Sequence, residues 1–406
     1  MKIKFSSSEK LLLFSLAGAK FTHIMDFMVL MPLGPQLMRV LDISTKEFGV
    51  LVSSYTFSAG ATVLASAFFI DRLDRKKALL WTYAGFWLGT LACGLVNSYE
   101  TLVLARILTG LFGGLLNALV LSLIGDVFSL EKRASAMGVV MAAFSAAAAF
   151  GVPFGIYMAS MGNWRWPFLI LAVVPLPVLI GLWYFIPNLE YKEESPKTPA
   201  FSLVQRTLSN PNQVRALGMT LLLILGQFMI IPYISPFMVG NIGFSEMQLV
   251  YIYLCGGILT LFTGPAIGRL ADEKGHKKIF VTFAVLSILP LLLITHLPNY
   301  GIPFALLASS LFFILISGRI IPSTTMVVSS VERKYRAGFM SLNTAMQQLA
   351  AGMAALLSGN VVVEIAQQNT DVVAIGNYNY LGYLAVGFTF LAIFLGRKIV
   401  PLKEVE

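Results

Sequence analysis

Twelve apolar stretches, each long enough to cross a lipid bilayer, divide the chain almost from end to end. They lie at about 11–38, 47–70, 78–97, 100–124, 135–160, 165–187, 213–239, 246–268, 278–297, 302–328, 337–363 and 378–400. A spanning helix needs about 20 apolar residues. Lipid offers an exposed backbone no hydrogen-bond partner, so each stretch is read as a transmembrane helix. The alternating pattern of a β-barrel is absent. The stretches consume most of the 406 residues and leave no room for a sizeable soluble domain. Only 12% of residues are charged, against about 25% in a soluble domain. A cytosolic enzyme, a disordered chain and a disulfide scaffold are thereby excluded. The two cysteines, Cys93 and Cys255, sit inside apolar stretches and read as small buried hydrophobes.

Basic residues orient the bundle. Alternate connections, taken with both termini, hold 23 of the 29 Lys and Arg residues, and the other connections hold only Arg39, Lys46 and Arg165. The positive-inside rule then places both termini in the cytoplasm of an integral plasma-membrane protein, a bacterial inner membrane being the expected setting. The net charge of +9 follows from orientation and from anionic lipid headgroups, and calls for no nucleic acid. The opening residues, MKIKFSSSEK, read as a short cytoplasmic tail and not as a removed signal peptide.

A polar, proline-bearing segment at 188–212 splits the spans six and six, giving expected units 1–187 and 213–406 joined by a cytoplasmic linker. Within it, FSLVQRTL has the pattern of a short amphipathic surface helix. The two units echo each other. AFFIDRLDRKKAL follows span two and GRLADEKGHKKIF follows span eight, with Asp71 and Asp272 201 residues apart. EKRASAMG follows span four and ERKYRAGF follows span ten, with Arg133 and Arg336 203 apart. Two matched loops at nearly one offset mean a duplicated six-helix unit.

These loops resemble the signature of the major facilitator superfamily, G-x-L-A-D-R-x-G-R-K-x-x-L. The second copy, with Gly268, Leu270, Ala271, Asp272, Gly275, Lys277 and Lys278, follows it well. The first keeps Asp71, Arg72, Arg75 and Lys76, but has Ala67 and Asp74 in the glycine places. Leu102-x-x-x-Arg106-x-x-x-Gly110 resembles the family's span-four motif. Gly151-Val-Pro153-Phe-Gly155 resembles the span-five motif of its drug:proton antiporters. The resemblance covers essentially the whole chain, nearest the arabinose and sugar-efflux permeases. It implies an all-α membrane fold of two pseudo-symmetric six-helix halves. It further implies that Asp71, Arg72, Arg75, Arg133, Asp272, Lys277 and Arg336 form a cytoplasmic gate of breakable ion pairs.

Four ionisable groups lie well inside spans: Lys20, Asp26, Arg106 and Arg319, with His23 beside them. A charge at the bilayer centre costs on the order of 2.5–3.5 kcal/mol even on lenient scales, so these groups should face a cavity or one another. Lys20, His23 and Asp26 are spaced by three and form a polar ridge on span one. Asp26 is the only acid deep in a span. Burial disfavours a charged carboxylate and a nearby cation favours it, and that competition makes a proton switch. Asp26 is therefore the expected protonation site, with His23 as relay and Arg106, linked to proton transfer in the family, as partner. Arg106, Gly110, Gly113 and Asn117 share one stripe of span four, expected to point into the cavity. Arg319 lies 17 residues before Arg336, whereas Arg106 lies 27 before Arg133, so Arg319 is not the repeat image of Arg106. With no acid on its own helix, it invites an anionic substrate or a partner across the cavity. Asn117, Gln227, Tyr233, Tyr251, Asn343 and Gln347 complete the expected cavity wall. Pro232 and Pro236 would kink span seven.

The function expected from this pattern is secondary active transport by alternating access: proton-coupled efflux of small amphipathic molecules, as in a multidrug antiporter. A carrier of an organic anion, lipid or sugar, using Arg319, is the alternative. The implied partners are a small-molecule substrate, protons and membrane lipids, with the chain acting as a monomer. The three histidines, His23, His276 and His296, are far apart in sequence, and no H-E-x-x-H, G-x-S-x-G or Walker pattern occurs. No catalytic residue, metal site or cofactor is expected.

Overall fold

The computed structural model describes residues 5–66, 74–187, 200–365 and 373–402, nearly all of them helical. The first six spans are α1 (Ser7–Val29), α3 (Thr45–Ser66), α4 (Arg75–Leu95), α5 (Tyr99–Val127), α6 with α7 (Leu130–Ala146 and Val152–Met161) and α8 with α9 (Trp166–Val173 and Pro175–Phe185). A short helix, α2 (Gly34–Leu41), links the first two. The amphipathic helix expected near FSLVQRTL forms as α10 (Ala200–Ser209). The last six spans are α11 (Pro211–Gly240), α12 (Leu249–Lys274), α13 with α14 (His276–Leu286 and Ile288–Thr295), α15 (Ile302–Ser329), α16 (Arg336–Val361) and α17 (Tyr378–Arg397). Strands β1 (Val363–Ile365) and β2 (Ala374–Gly376) pair antiparallel between the last two spans, an element that the apolar pattern did not announce. Phe5 packs on Phe128, and the Leu402 N–H donates to the Ser329 carbonyl, so the described chain ends sit by the basic α5–α6 and α15–α16 connections; this end of the bundle is called the basic face.

Proline explains where spans depart from simple helices, because it removes one backbone donor and crowds the preceding turn. The first apolar stretch ends its helix at Val29, before Pro32, and restarts at Gly34-Pro35. Pro175 opens α9, and Pro290 follows the break at Ser287 between α13 and α14. A π-helical turn at Ala147–Gly151 precedes Pro153 in span five. By contrast α11 stays one helix through Pro232 and Pro236. Among the described residues, eleven spans are long and apolar enough to cross a membrane by length and composition. The other span, α16, carries Asn343, Gln347, Gln348 and Asn360 in place of apolar residues.

The halves meet along two helix pairs, α3 with α16 and α12 with span five. A Cβ on Gly257 of α12 would lie 2.5 Å from the Ala149 Cα, so only glycine permits this approach. Eleven residues along, about three turns, α12 shows the same face again at Gly268. A Cβ there would meet nothing within 4 Å, and the same holds for Gly138, eleven residues before Ala149. The two helices therefore touch near the face opposite the termini and part toward the basic face.

Candidate functional site

The buried charges of the first half form one cluster. Arg106 Nη1 on α5 donates to Asp26 Oδ2 on α1 at 2.8 Å, with the two side chains 1% and 0% exposed. The Thr90 hydroxyl on α4 donates to Asp26 Oδ1 at 3.0 Å. The Arg106 guanidinium lies over the Tyr55 ring of α3, 4.5 Å from its centroid, a cation–π contact that partly replaces lost hydration. The Tyr55 hydroxyl meets His23 Nε2 at 3.1 Å. Glycine makes this assembly possible. A Cβ on Gly113 of α5 would collide with the Tyr55 hydroxyl, and one on Gly110 with the Ser58 hydroxyl. The span-four stripe thus faces α3 and α1, not an open cavity.

The expected pairing of Asp26 with Arg106 is present. The ridge of span one is not a continuous relay. Lys20 donates to Asn117 Oδ1, His23 contacts Tyr55, and Asp26 binds Arg106 and Thr90. Each residue finds a nearer partner on a neighbouring helix than on its own. Tyr55 and Thr90 were not singled out from sequence; the available signal was a hydroxyl inside an apolar span.

The cavity-wall residues of the second half separate into groups. Arg319 is 0% exposed, and its Nη1 donates to the Ser287 and Thr389 hydroxyls at 3.2 and 2.8 Å. It therefore points between spans nine and twelve, within its own half, and does not line a cavity. Tyr233 is also sealed, its hydroxyl donating to the Thr45 carbonyl of α3 at 2.7 Å. Tyr251 stands apart, 53% exposed near the start of α12. Gln227 Oε1 and Asn343 Oδ1 are buried polar atoms with no hydrogen-bond partner among the described residues, and Gln347 lies one turn beyond Asn343 on α16. Phe228, next to Gln227, packs on Phe27 of α1 with ring centroids 6.1 Å apart, so this part of α11 faces the first half.

The contacts seen for the described gate residues Arg75, Arg133, Asp272 and Lys277 do not cross the basic face in this conformation. Arg75 pairs with Asp126 at 3.0 Å, and Asp272, 73% exposed, contacts His276 of its own loop at 3.5 Å. Arg133 caps the Gly125 and Phe128 carbonyls, and Lys277 reaches the Ile399 carbonyl at 3.5 Å. Each of these contacts closes within one half, as the parting of α12 from span five requires. Arg336 opens α16, partly buried. Asp71 and Arg72 lie outside the described residues.

Inter-half polar contacts instead converge on the opposite face, at Thr45. Its N–H donates to Glu364 of β1, its hydroxyl to the Val362 carbonyl at 3.4 Å, and its carbonyl accepts from Tyr233. Arg39 of α2 pairs with Glu246 of the second half at 2.7 Å. This closure escaped the sequence reading because its partners lie more than 180 residues apart.

Two six-span helical halves, in contact near one face and parted toward the other, are the frame in which these buried charges sit. The chain belongs to the major facilitator superfamily, whose family model matches residues 16–355 and 216–406. It is 25% identical to the MFS-type transporter YceJ of Bacillus subtilis (strain 168) over 79% of this chain and 81% of that protein. It is also 25% identical to the inner membrane transport protein YdhP of Escherichia coli (strain K12), over 64% and 66% of the two chains. Among solved structures, it is similar to the D-xylose–proton symporter, with TM-score 0.78, 16% identity and 97% and 98% of the chains covered. It is likewise similar to a bacterial homologue of the human lysosomal transporter Spinster, with TM-score 0.73, 15% identity and 98% and 95% covered. The chain is an integral membrane protein built for secondary transport of small molecules.

Proposed function

We propose that the chain is a proton-coupled exporter of small amphipathic molecules, with Asp26 as the protonation site. The carrying observation is the sealed Asp26–Arg106 pair, supported by Thr90 and Tyr55. A buried carboxylate held by one guanidinium is stable only while both charges are present. Protonating Asp26 removes half of the pair, frees Arg106, and loosens the junction of α1, α3 and α5. Alternating access needs such a coupling between proton loading and helix packing.

The antiporter-like motif adjoins this site. A Cβ on Gly151 would lie 3.0 Å from the sulfur of Met25, and one on Gly155 2.5 Å from Val29, so both glycines hold span five against α1 on either side of Asp26. In this reading the basic face is cytoplasmic, units 1–187 and 213–406 rock about the 188–212 linker, and the conformation is inward-facing. The basic-face charges, Asp71 and Arg72 with them, meet only when the other face opens. Gln227, Asn343 and Gln347 supply polar contacts to the substrate. A carrier of an organic anion working through Arg319 has less support, because that guanidinium is enclosed.

Proteoliposomes with an imposed pH gradient, screened with cationic, neutral and anionic compounds, test the proposal. Asp26→Asn is expected to abolish pH-driven accumulation while substrate counterflow persists. Wild-type coupling in that variant overturns the assignment.

A further inference from the structure

Arg319 is the one mid-span cation of the second half, and no carboxylate pairs with it among the described residues. Its Nη1 is shared by two neutral hydroxyls, Ser287 and Thr389. Its Nε and Nη2 are buried and have no hydrogen-bond partner among the described residues. Those two atoms form the side edge of the guanidinium, a pair of parallel donors matched to a bidentate acceptor. No Asp or Glu occurs in α11, α13, α14, α15, α16 or α17. The acids of α12 are Asp272 and Glu273 in its last turn, at the basic face. Arg319 lies ten residues before the end of α15, about 15 Å deeper at the ordinary rise.

An arginine does not escape this setting by losing its proton. An uncompensated charge inside a bilayer-embedded bundle is costly, and two unpaired donors add to the cost. We propose that the second half binds a small monovalent anion, a halide or a short carboxylate, on the Nε–Nη2 edge of Arg319. The anion is a resident one. It neutralises the guanidinium whose Nη1 ties α15 to Ser287 at the break between α13 and α14 and to Thr389 of α17, and is not the transported substrate. Enclosure supports residence, since the guanidinium is fully shielded while the halves are parted at the basic face. The site stands apart from the Asp26–Arg106 pair and does not depend on the proposed coupling.

The test uses the purified full-length protein in detergent, melted in sodium chloride, formate or gluconate at matched ionic strength. Gluconate is too large for an enclosed site. A melting temperature several degrees higher in chloride, formate or both, saturating with concentration, is the expected result, and the responding anion identifies the source. Arg319→Gln is expected to melt alike in all three salts. If that variant does not fold, direct binding of radiolabelled chloride and formate to the wild type decides the matter. Binding of neither label overturns the proposal. So does a salt response that survives in folded Arg319→Gln. Transport of the label into proteoliposomes in an Arg319-dependent manner overturns the resident role.

Discussion

In the first half, the guanidinium of Arg106 on α5 meets a carboxylate from α1. In the second, that of Arg319 on α15 meets only hydroxyls from span nine and α17. The two halves carry matched loops, yet their buried charges occupy different registers and point to different neighbours. Helix packing and loop positions sustain the fold and so resist change. Buried charges are free to diverge, since each meets its own set of neighbours. The paired half has a site where one proton changes the charge balance. The other half has a fixed charge.

The comparison breaks first on charge removal, where the largest effect is expected. Arg106→Gln strands the Asp26 carboxylate and should destabilise the protein by about 3–5 kcal/mol, as does breaking other buried pairs. The double variant Asp26→Asn with Arg106→Gln should recover much of that stability and still lack pH-driven transport. In gluconate, Arg319→Gln should be nearly neutral, because no carboxylate is stranded. Thermal melts of the three proteins decide it. A loss for Arg319→Gln as large as for Arg106→Gln would erase the proposed contrast between the halves.

A second test concerns where the halves touch. Gly257→Leu forces a side chain into the Ala149 backbone, an overpacking worth about 1–3 kcal/mol. Gly268→Leu, on the same face nearer the basic loops, enters open space and should leave stability unchanged. Spin labels placed across the face opposite the termini should report a wider separation for Gly257→Leu alone. Equal spectra for the two variants would refute the parting of α12 from span five.

The closure at Thr45 sharpens the same point with a smaller effect. Glu364→Gln keeps an acceptor for the Thr45 N–H but removes its charge, and charge-assisted hydrogen bonds are about twice as strong as neutral ones. A shift of about 1 kcal/mol away from the closed state is expected, read from the same spin-label distances. An unchanged distance distribution would show that Glu364 adds nothing to closure.

Much of the fold was legible because lipid forces it. Apolar length marks the spans, basic loops mark one face, and the repeated loops mark the halves. Asp26 and Arg106 were legible for the same reason, since a charge in lipid must find a partner. Directions of side chains were not. Tyr233 and Tyr251 look alike in sequence, yet one crosses to Thr45 and the other stands exposed. Arg319 read as a cavity group because a helix has two sides and sequence shows only one helix at a time. The Lys20–His23–Asp26 ridge failed for a related reason: correct spacing on α1 says nothing about the nearer partners on α3, α4 and α5.

The smallest expected effect is that of Asp74→Gly in the first of the matched loops. At the place where the second copy has Gly275, the first has Asp74, 201 residues earlier. The two residues solve one problem differently. Asp74 has φ −56° and caps α4, its carboxylate accepting from the Lys77 N–H at 3.0 Å. Gly275 has φ +90°, a left-handed conformation that turns the chain sharply between α12 and α13, with open space around it. Asp74→Gly should therefore cost only a few tenths of a kcal/mol, since glycine itself is tolerated at a helix cap. Gly275→Ala should cost about 1–3 kcal/mol at that one residue through conformation alone, because φ +90° with ψ 128° is a region side-chain-bearing residues rarely adopt and no neighbour crowds the site. In denaturant melts Gly275→Ala should be visibly weaker and Asp74→Gly close to wild type. The reverse order would mean that the two loops turn in the same way despite their different residues, and that the halves diverge less at this loop than their buried charges suggest.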